Sequence, residues 1–97
     1  MIDELMSYEY VMHLLLSDLE YTTQNSKAED IEDDIRYYAY DYSYYISYFA
    51  SIGEYENAAS LRGALVLALM NYKVKISDAH KMIRMAIDEH NKEERYV

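Results

Sequence analysis

The side chains of this 97-residue chain that could hold a metal or move a proton are three His and eighteen Asp or Glu, with no Cys. The missing thiols exclude a disulfide scaffold, a Cys nucleophile and thiolate metal sites, so a reducing compartment, the cytoplasm, is expected. A di-iron carboxylate bundle sets Glu three residues before His on two helices. The residues at that spacing are Tyr10 before His13, Ser77 before His80 and Ile87 before His90. Glu9 and His13 share a helical face, but two ligands are too few for a metal site. Gly53 and Gly63 stand alone, which excludes a phosphate-cradling loop and a Gly-flanked Ser elbow. No metal or cofactor is expected.

Two other groupings stand out. Glu29, Asp30, Glu32, Asp33 and Asp34 crowd five carboxylates into six positions. A helix dipole stabilises acids in its first turns by roughly 0.3–1 kcal/mol each, yet five neighbours repel one another, so the dipole alone does not require them all. Residues 1–60 hold 13 acids and 2 bases, whereas residues 61–97 hold 5 acids and 7 bases, giving net charges of −11 and +2. Such a field repels nucleic-acid phosphates and steers towards basic surfaces; direct DNA binding is not expected. The second grouping is aromatic. Seven of the thirteen Tyr lie between Tyr37 and Tyr48, against a single Phe and no Trp in the whole chain. At 100° per residue, Tyr38, Tyr42 and Tyr45 join an apolar ladder, while Tyr37, Tyr40, Tyr44 and Tyr48 form a second face about 120° away. That face either covers another helix of the same chain or meets a partner.

These groups need helices to hold them. Pro is absent and 52% of residues are hydrophobic, enough for one core and a single domain over residues 1–97. Four segments carry helical spacing. The first runs from Ile2 to Tyr21, with Leu5, Tyr8, Met12, Leu15 and Leu19 on one face, widened by Val11, Leu14 and Leu16. A polar link over 22–25 precedes a capping box, Ser26-Lys27-Ala28-Glu29. The second helix carries the ladder Ile31, Ile35, Tyr38, Tyr42, Tyr45, Phe49 and Ile52 and ends at Gly53. The third, Glu54 to Tyr72, is apolar nearly all round between Ala64 and Met70 and is expected at the bundle's centre, with Ser60, Gly63, Ala64 and Ala68 meeting the small face Ala39, Ser43, Ile46, Ser47 and Ala50 of the second. Ser77 or Asp78 caps a fourth, to about Glu94, with Ala79, Met82, Ile83 and Ala86 inward. The expected fold class is all-α: a compact antiparallel bundle of four helices, or three plus a C-terminal arm. The longest apolar run, Ala64 to Met70, is far below the ~18–20 residues of a membrane span.

The stretch from Ala39-Tyr40-Asp41 through Gly53-Glu54-Tyr55-Glu56-Asn57-Ala58-Ala59 to Ala68-Leu69 resembles the helical hairpin of HEPN-type bundles. The Gly-x-Tyr-x-x-Ala spacing at 53, 55 and 58 also resembles one tetratricopeptide turn, of which a solenoid needs about three. Catalytic HEPN proteins are dimeric ribonucleases that use an Arg and a His near the final helix. By that resemblance Arg84 would stabilise phosphate charge and His90 would move a proton from a 2′-hydroxyl. Met85 stands where the family usually places a polar residue, and Asp88, Glu89 and Glu93 surround His90 with charge that repels RNA.

The function expected from the residues is therefore non-enzymatic. An acidic helical module engages a protein with a basic, nucleic-acid-binding surface, or a second copy of itself as a homodimer, through Glu29, Asp30, Glu32, Asp33, Asp34, Tyr37, Tyr40, Tyr44 and Tyr48. Size and composition fit a small regulator or inhibitor of the kind a virus or mobile element encodes. The alternative is a HEPN-like ribonuclease, or an inactive relative, using Arg84 and His90.

Overall fold

The computed structural model describes residues 7–25 and 27–95 and shows an all-α bundle of four helices. In chain order these are α1 (Tyr8–Asn25), α2 (Ala28–Ser51), α3 (Tyr55–Asn71) and α4 (Ile76–Arg95). No helix among the described residues is long and apolar enough to cross a membrane.

The hydrophobic spacing builds the core as expected: Val11, Leu15, Ile35, Tyr42, Phe49, Leu61, Leu65, Leu69, Ala79 and Ile83 are buried together. Both α2 and α3 pack against each of the other three helices, and α2 does so most extensively, against α3 and α4. The apolar surface of α3 is covered only in part. Its Leu61, Leu65 and Leu69 are buried, but Leu67 is 68% exposed, and Ser60 and Gly63 face outward as well. Nothing lies within 4 Å of where a Gly63 side chain would begin, so Ser60 and Gly63 take no part in the expected close crossing, whereas Ala68 is buried and Ala64 packs against the core. An all-round apolar helix can be buried on any side, and here the neighbours cover only part of it.

Several helix ends differ from expectation. Residues 22–25 continue α1 rather than linking it to α2. The buried Thr22 hydroxyl meets the Tyr38 hydroxyl at 2.7 Å, and Asn25 Nδ2 donates to the Tyr21 carbonyl at 3.0 Å. Leu5 and Ser26 lie outside the described residues; the N-cap of α2 is Lys27, in extended conformation without a side-chain cap bond. Ser77 and Asp78 lie inside the first turn of α4, which begins at Ile76.

Two tight reversals join α2 to α3 and α3 to α4. At the first, Gly53 (φ 83°) donates to the Ala50 carbonyl at 3.2 Å and Glu54 donates to the Phe49 carbonyl at 2.9 Å, which is the paired Schellman closure. The second repeats that closure with Lys73 (φ 71°) in the left-handed position, through Lys73 to Met70 and Val74 to Leu69. Both reversals bring the next helix back along the bundle, so α2 and α4 run in the same direction and α3 runs opposite to both.

Candidate functional site

The side of α2 that faces α1 is built from hydroxyls in antiparallel register. Tyr42 donates to Asp18 Oδ2 at 2.5 Å; one turn away, Tyr38 and Thr22 share a hydrogen bond and Tyr38 donates to the Asp18 carbonyl at 3.3 Å. Each step of four residues up α1 thus meets a step of four down α2. Tyr72, beyond the end of α3, donates to the Leu19 carbonyl at 3.2 Å and meets the Thr23 hydroxyl at 2.8 Å. Burial raises the Tyr38, Tyr42 and Tyr45 phenols above their ordinary range, and Asp18 and Asp41 add repulsion against ionised rings. Sequence reasoning missed Asp18, Thr22, Thr23 and Tyr72. The four-residue spacing of Asp18 with Thr22, matched by Tyr38 with Tyr42, was the available signal.

The side that faces α4 is organised by His90, which is only 8% exposed. Its Nε2 lies 2.7 Å from the Tyr40 carbonyl, and because a carbonyl only accepts, Nε2 carries the hydrogen. The imidazole packs on the Tyr40 ring at a centroid distance of 4.2 Å and on the Tyr44 ring at 5.6 Å. The second tyrosine face is therefore covered, at Tyr40 and Tyr44, by a helix of the same bundle. Tyr48 packs edge-on to Phe49, and Tyr37 alone of the four is largely exposed, at 62%. Asp41, half-buried between the two sides of α2, is held above the usual carboxylate range chiefly by burial and also by Asp18, while Tyr37 and His90 oppose that rise.

Arg84 and His90 are not brought together. Arg84 is exposed, whereas His90 is buried against α2, and six residues of α-helix set them about 120° apart around α4. Among the described residues no group of three or more His, Asp or Glu side chains is placed to hold a metal ion.

The acidic run occupies the N-terminal half of α2. Glu29, Asp30, Glu32 and Asp33 are exposed and Asp34 is half-buried; at 100° per residue they fan around most of the helix rather than forming one stripe. Glu32 pairs with Arg36 one turn on, at 2.9 Å. One turn further along α2 and across to α4, an open groove of about 430 Å³ is lined by Arg36, Ala39, Tyr40, Met82, Met85, Ala86 and Glu89.

No family model matches the chain, and neither curated proteins nor solved structures yield a similar one.

Proposed function

We propose that this chain is a non-enzymatic protein-interaction module, a small acidic regulator or inhibitor that presents the N-terminal half of α2 to a basic surface on a partner protein. The observation that carries this reading is the display of Glu29, Asp30, Glu32 and Asp33 on the outside of a helix whose remaining length is committed to the core. Charges so placed contribute little to folding and repel each other, and a basic partner relieves that repulsion while the acids steer its approach. Tyr37, exposed one turn beyond Asp33, supplies an amphipathic ring at the edge of the same surface. The burial of His90 beneath Tyr40 and Tyr44 supports a structural rather than a chemical use of that imidazole.

The test is the triple substitution Glu32→Gln, Asp33→Asn, Asp34→Asn. A partner is first captured with the unsubstituted chain from its host and identified by mass spectrometry, and association rates of both forms are then followed by stopped flow across ionic strengths. The triple variant should associate several-fold more slowly at low salt, converge with the unsubstituted chain at high salt, and keep its helical circular dichroism. Equal rates at every ionic strength would reduce the acidic run to a solvated helix start. For the ribonuclease alternative, the decisive result is metal-independent cleavage of single-stranded RNA by the purified chain, silenced by Arg84→Ala with the fold intact.

A further inference from the structure

The walls of the groove between α2 and α4 carry matching stripes. On α4, Asp78, Met82, Met85 and Glu89 follow at four-, three- and four-residue steps, which keeps them on one side of the helix. On α2, Glu29, Asp33, Arg36 and Tyr40 repeat those steps. Glu89 immediately precedes His90, whose Nε2 is bonded to the Tyr40 carbonyl, so Glu89 stands level with Tyr40. Because the two helices run in the same direction, equal steps then set Met85 level with Arg36, Met82 with Asp33 and Asp78 with Glu29. The upper levels are apolar: Ala39, Met82, Met85 and Ala86 line them with the Tyr40 ring, and Met85 stands 61% exposed at the lip. The lower levels are acidic. Glu29, Asp33 and Asp78 are exposed there and make no ion pair with any described residue. Arg36, the base among the lining residues, is bonded to Glu32, and Lys81 lies about 100° round α4 from Met82, on its outer side. Lys27 and Lys75 lie beyond the row, outside the helices that form the walls.

We propose that this groove receives an amphipathic helix of the basic partner, with apolar side chains seated on Met82, Met85 and the Tyr40 ring and Lys or Arg side chains over Glu29, Asp33 and Asp78. The assignment rests on the acidic-interaction reading above and gives that interface its apolar centre. Exposed charge pairs steer an encounter but hold it weakly, so a lasting complex needs desolvated side chains beside them. The groove supplies these next to the acids. A helix laid between two helices buries one apolar stripe and leaves its flanks free, which suits an open cleft with charge along one end. Met82 and Met85 add tolerance, since unbranched thioether side chains adapt to the shape opposite them. The spacing of the occupant also follows. Seven residues of helical rise, about 10 Å, separate the Met85 level from that of Asp78, so its basic side chains fall about two turns from its main apolar anchor.

The probe is a synthetic helical peptide of about five turns, with Leu on one stripe in one half and Lys in the other, compared with a scramble of the same composition and a form with Glu for Lys. The chain has six Met, and labelling their methyl groups with carbon-13 lets nuclear magnetic resonance report where each peptide sits. At physiological salt the patterned peptide should shift the Met82 and Met85 methyls in a saturable way and leave Met70, 41% exposed on α3, in place. The scramble should bind about tenfold more weakly and the Glu form not at all. Met85→Gln should weaken the patterned peptide about tenfold and Asp78→Asn several-fold, the latter effect fading as salt rises, both with helical circular dichroism unchanged. Met82 and Met85 methyls that do not move, a scramble that binds equally, or shifts at these methyls on raising protein concentration without peptide, which would place a second copy in the groove, would each overturn the proposal. Met85 and Asp78 lie outside the acidic run, so the two readings can fail separately: slower association of the triple acidic variant with its partner, with Met85→Gln binding unchanged, would keep the acidic interface and remove the groove from it.

Discussion

The two sides of α2 use the same residue type in opposite ways. Towards α1, Tyr42 buries its ring and Tyr38 part of its own, and both are fixed by their hydroxyls, which reach Asp18 and Thr22. Towards α4, Tyr40 and Tyr44 are held by their ring faces, because His90 is packed between them and bonded to the backbone beneath. In the first seam specificity comes from matched donors and acceptors, and the register is set wherever an oxygen meets a phenol. In the second it comes from one ring whose shape and Nε2–H must both fit. A hydroxyl seam distributes its polar contacts over several bonds, whereas the seam with α4 joins the apolar packing of Ala79, Ile83 and Ile87 to the His90 imidazole.

That difference predicts the largest effect at His90. His90→Ala removes both ring contacts and leaves a gap beneath Tyr40, which should cost about 2–4 kcal/mol, the range of large-to-small substitutions at buried sites. The comparison is Arg84→Ala, exposed on the same helix, which should stay within about 0.5 kcal/mol of the parent. Urea denaturation of both variants measures this. Equal stabilities would mean that the imidazole seam carries little of the fold.

On the other side, Tyr42→Phe keeps the ring and deletes one bond to Asp18, so about 1–2 kcal/mol should be lost. The same seam predicts instability in alkali. The folded phenols of Tyr38, Tyr42 and Tyr45 are raised above the ordinary value of 10.0, so the unfolded chain loses those protons first. Their contribution is fully present below that value and is lost as pH rises beyond it. Absorbance at 295 nm, followed with circular dichroism, should show several Tyr ionising together as the helices melt. Gradual independent titration without loss of helix would contradict a buried hydroxyl seam.

Much of this contrast lies beyond what periodicity can show. The ladder through Ile35, Tyr42 and Phe49 was legible because burial on one face repeats with the helix. So were the four helices and the stop at Gly53. The role of Asp18 was not, since an acid midway along an amphipathic helix gains meaning only once the register against Tyr42 is known. His90 illustrates a second limit: its spacing from Arg84 suited phosphate chemistry, yet its angle around α4 turned it into the core. The reversal at Lys73 marks a third, because the left-handed position there lacks the glycine that announces it. Lys73→Gly removes a side chain from that conformation while keeping both Schellman bonds, and should stabilise the chain by roughly 1 kcal/mol, read as a higher Tm. No gain would mean that the local backbone relaxes at no cost.

The smallest effect is expected at Asp41, which feels both seams at once. Its carboxyl is raised chiefly by burial and further by Asp18 across the α1 seam, while the Tyr37 hydroxyl and His90 of the α4 seam act to lower it. An acid whose folded value exceeds its unfolded value binds its proton more tightly in the native state, so stability is greatest with the group protonated and falls as pH rises from the ordinary value of 3.8 through the raised one. Asp41→Asn keeps an oxygen able to accept from Tyr37 and abolishes the charge. At neutral pH the variant should be more stable by about 0.5 kcal/mol, roughly 2–4 °C in Tm for a domain of this size. At a pH below the ordinary carboxylate range the gain should disappear, because both forms are then neutral. Asp18→Asn separates the two influences. It removes the neighbour that raises Asp41, so the further gain from Asp41→Asn at neutral pH should shrink in that background. A gain that is unchanged there would place the strain on Asp41 in burial alone, and a loss of stability on Asp41→Asn at neutral pH would show that the His90 side governs this carboxylate.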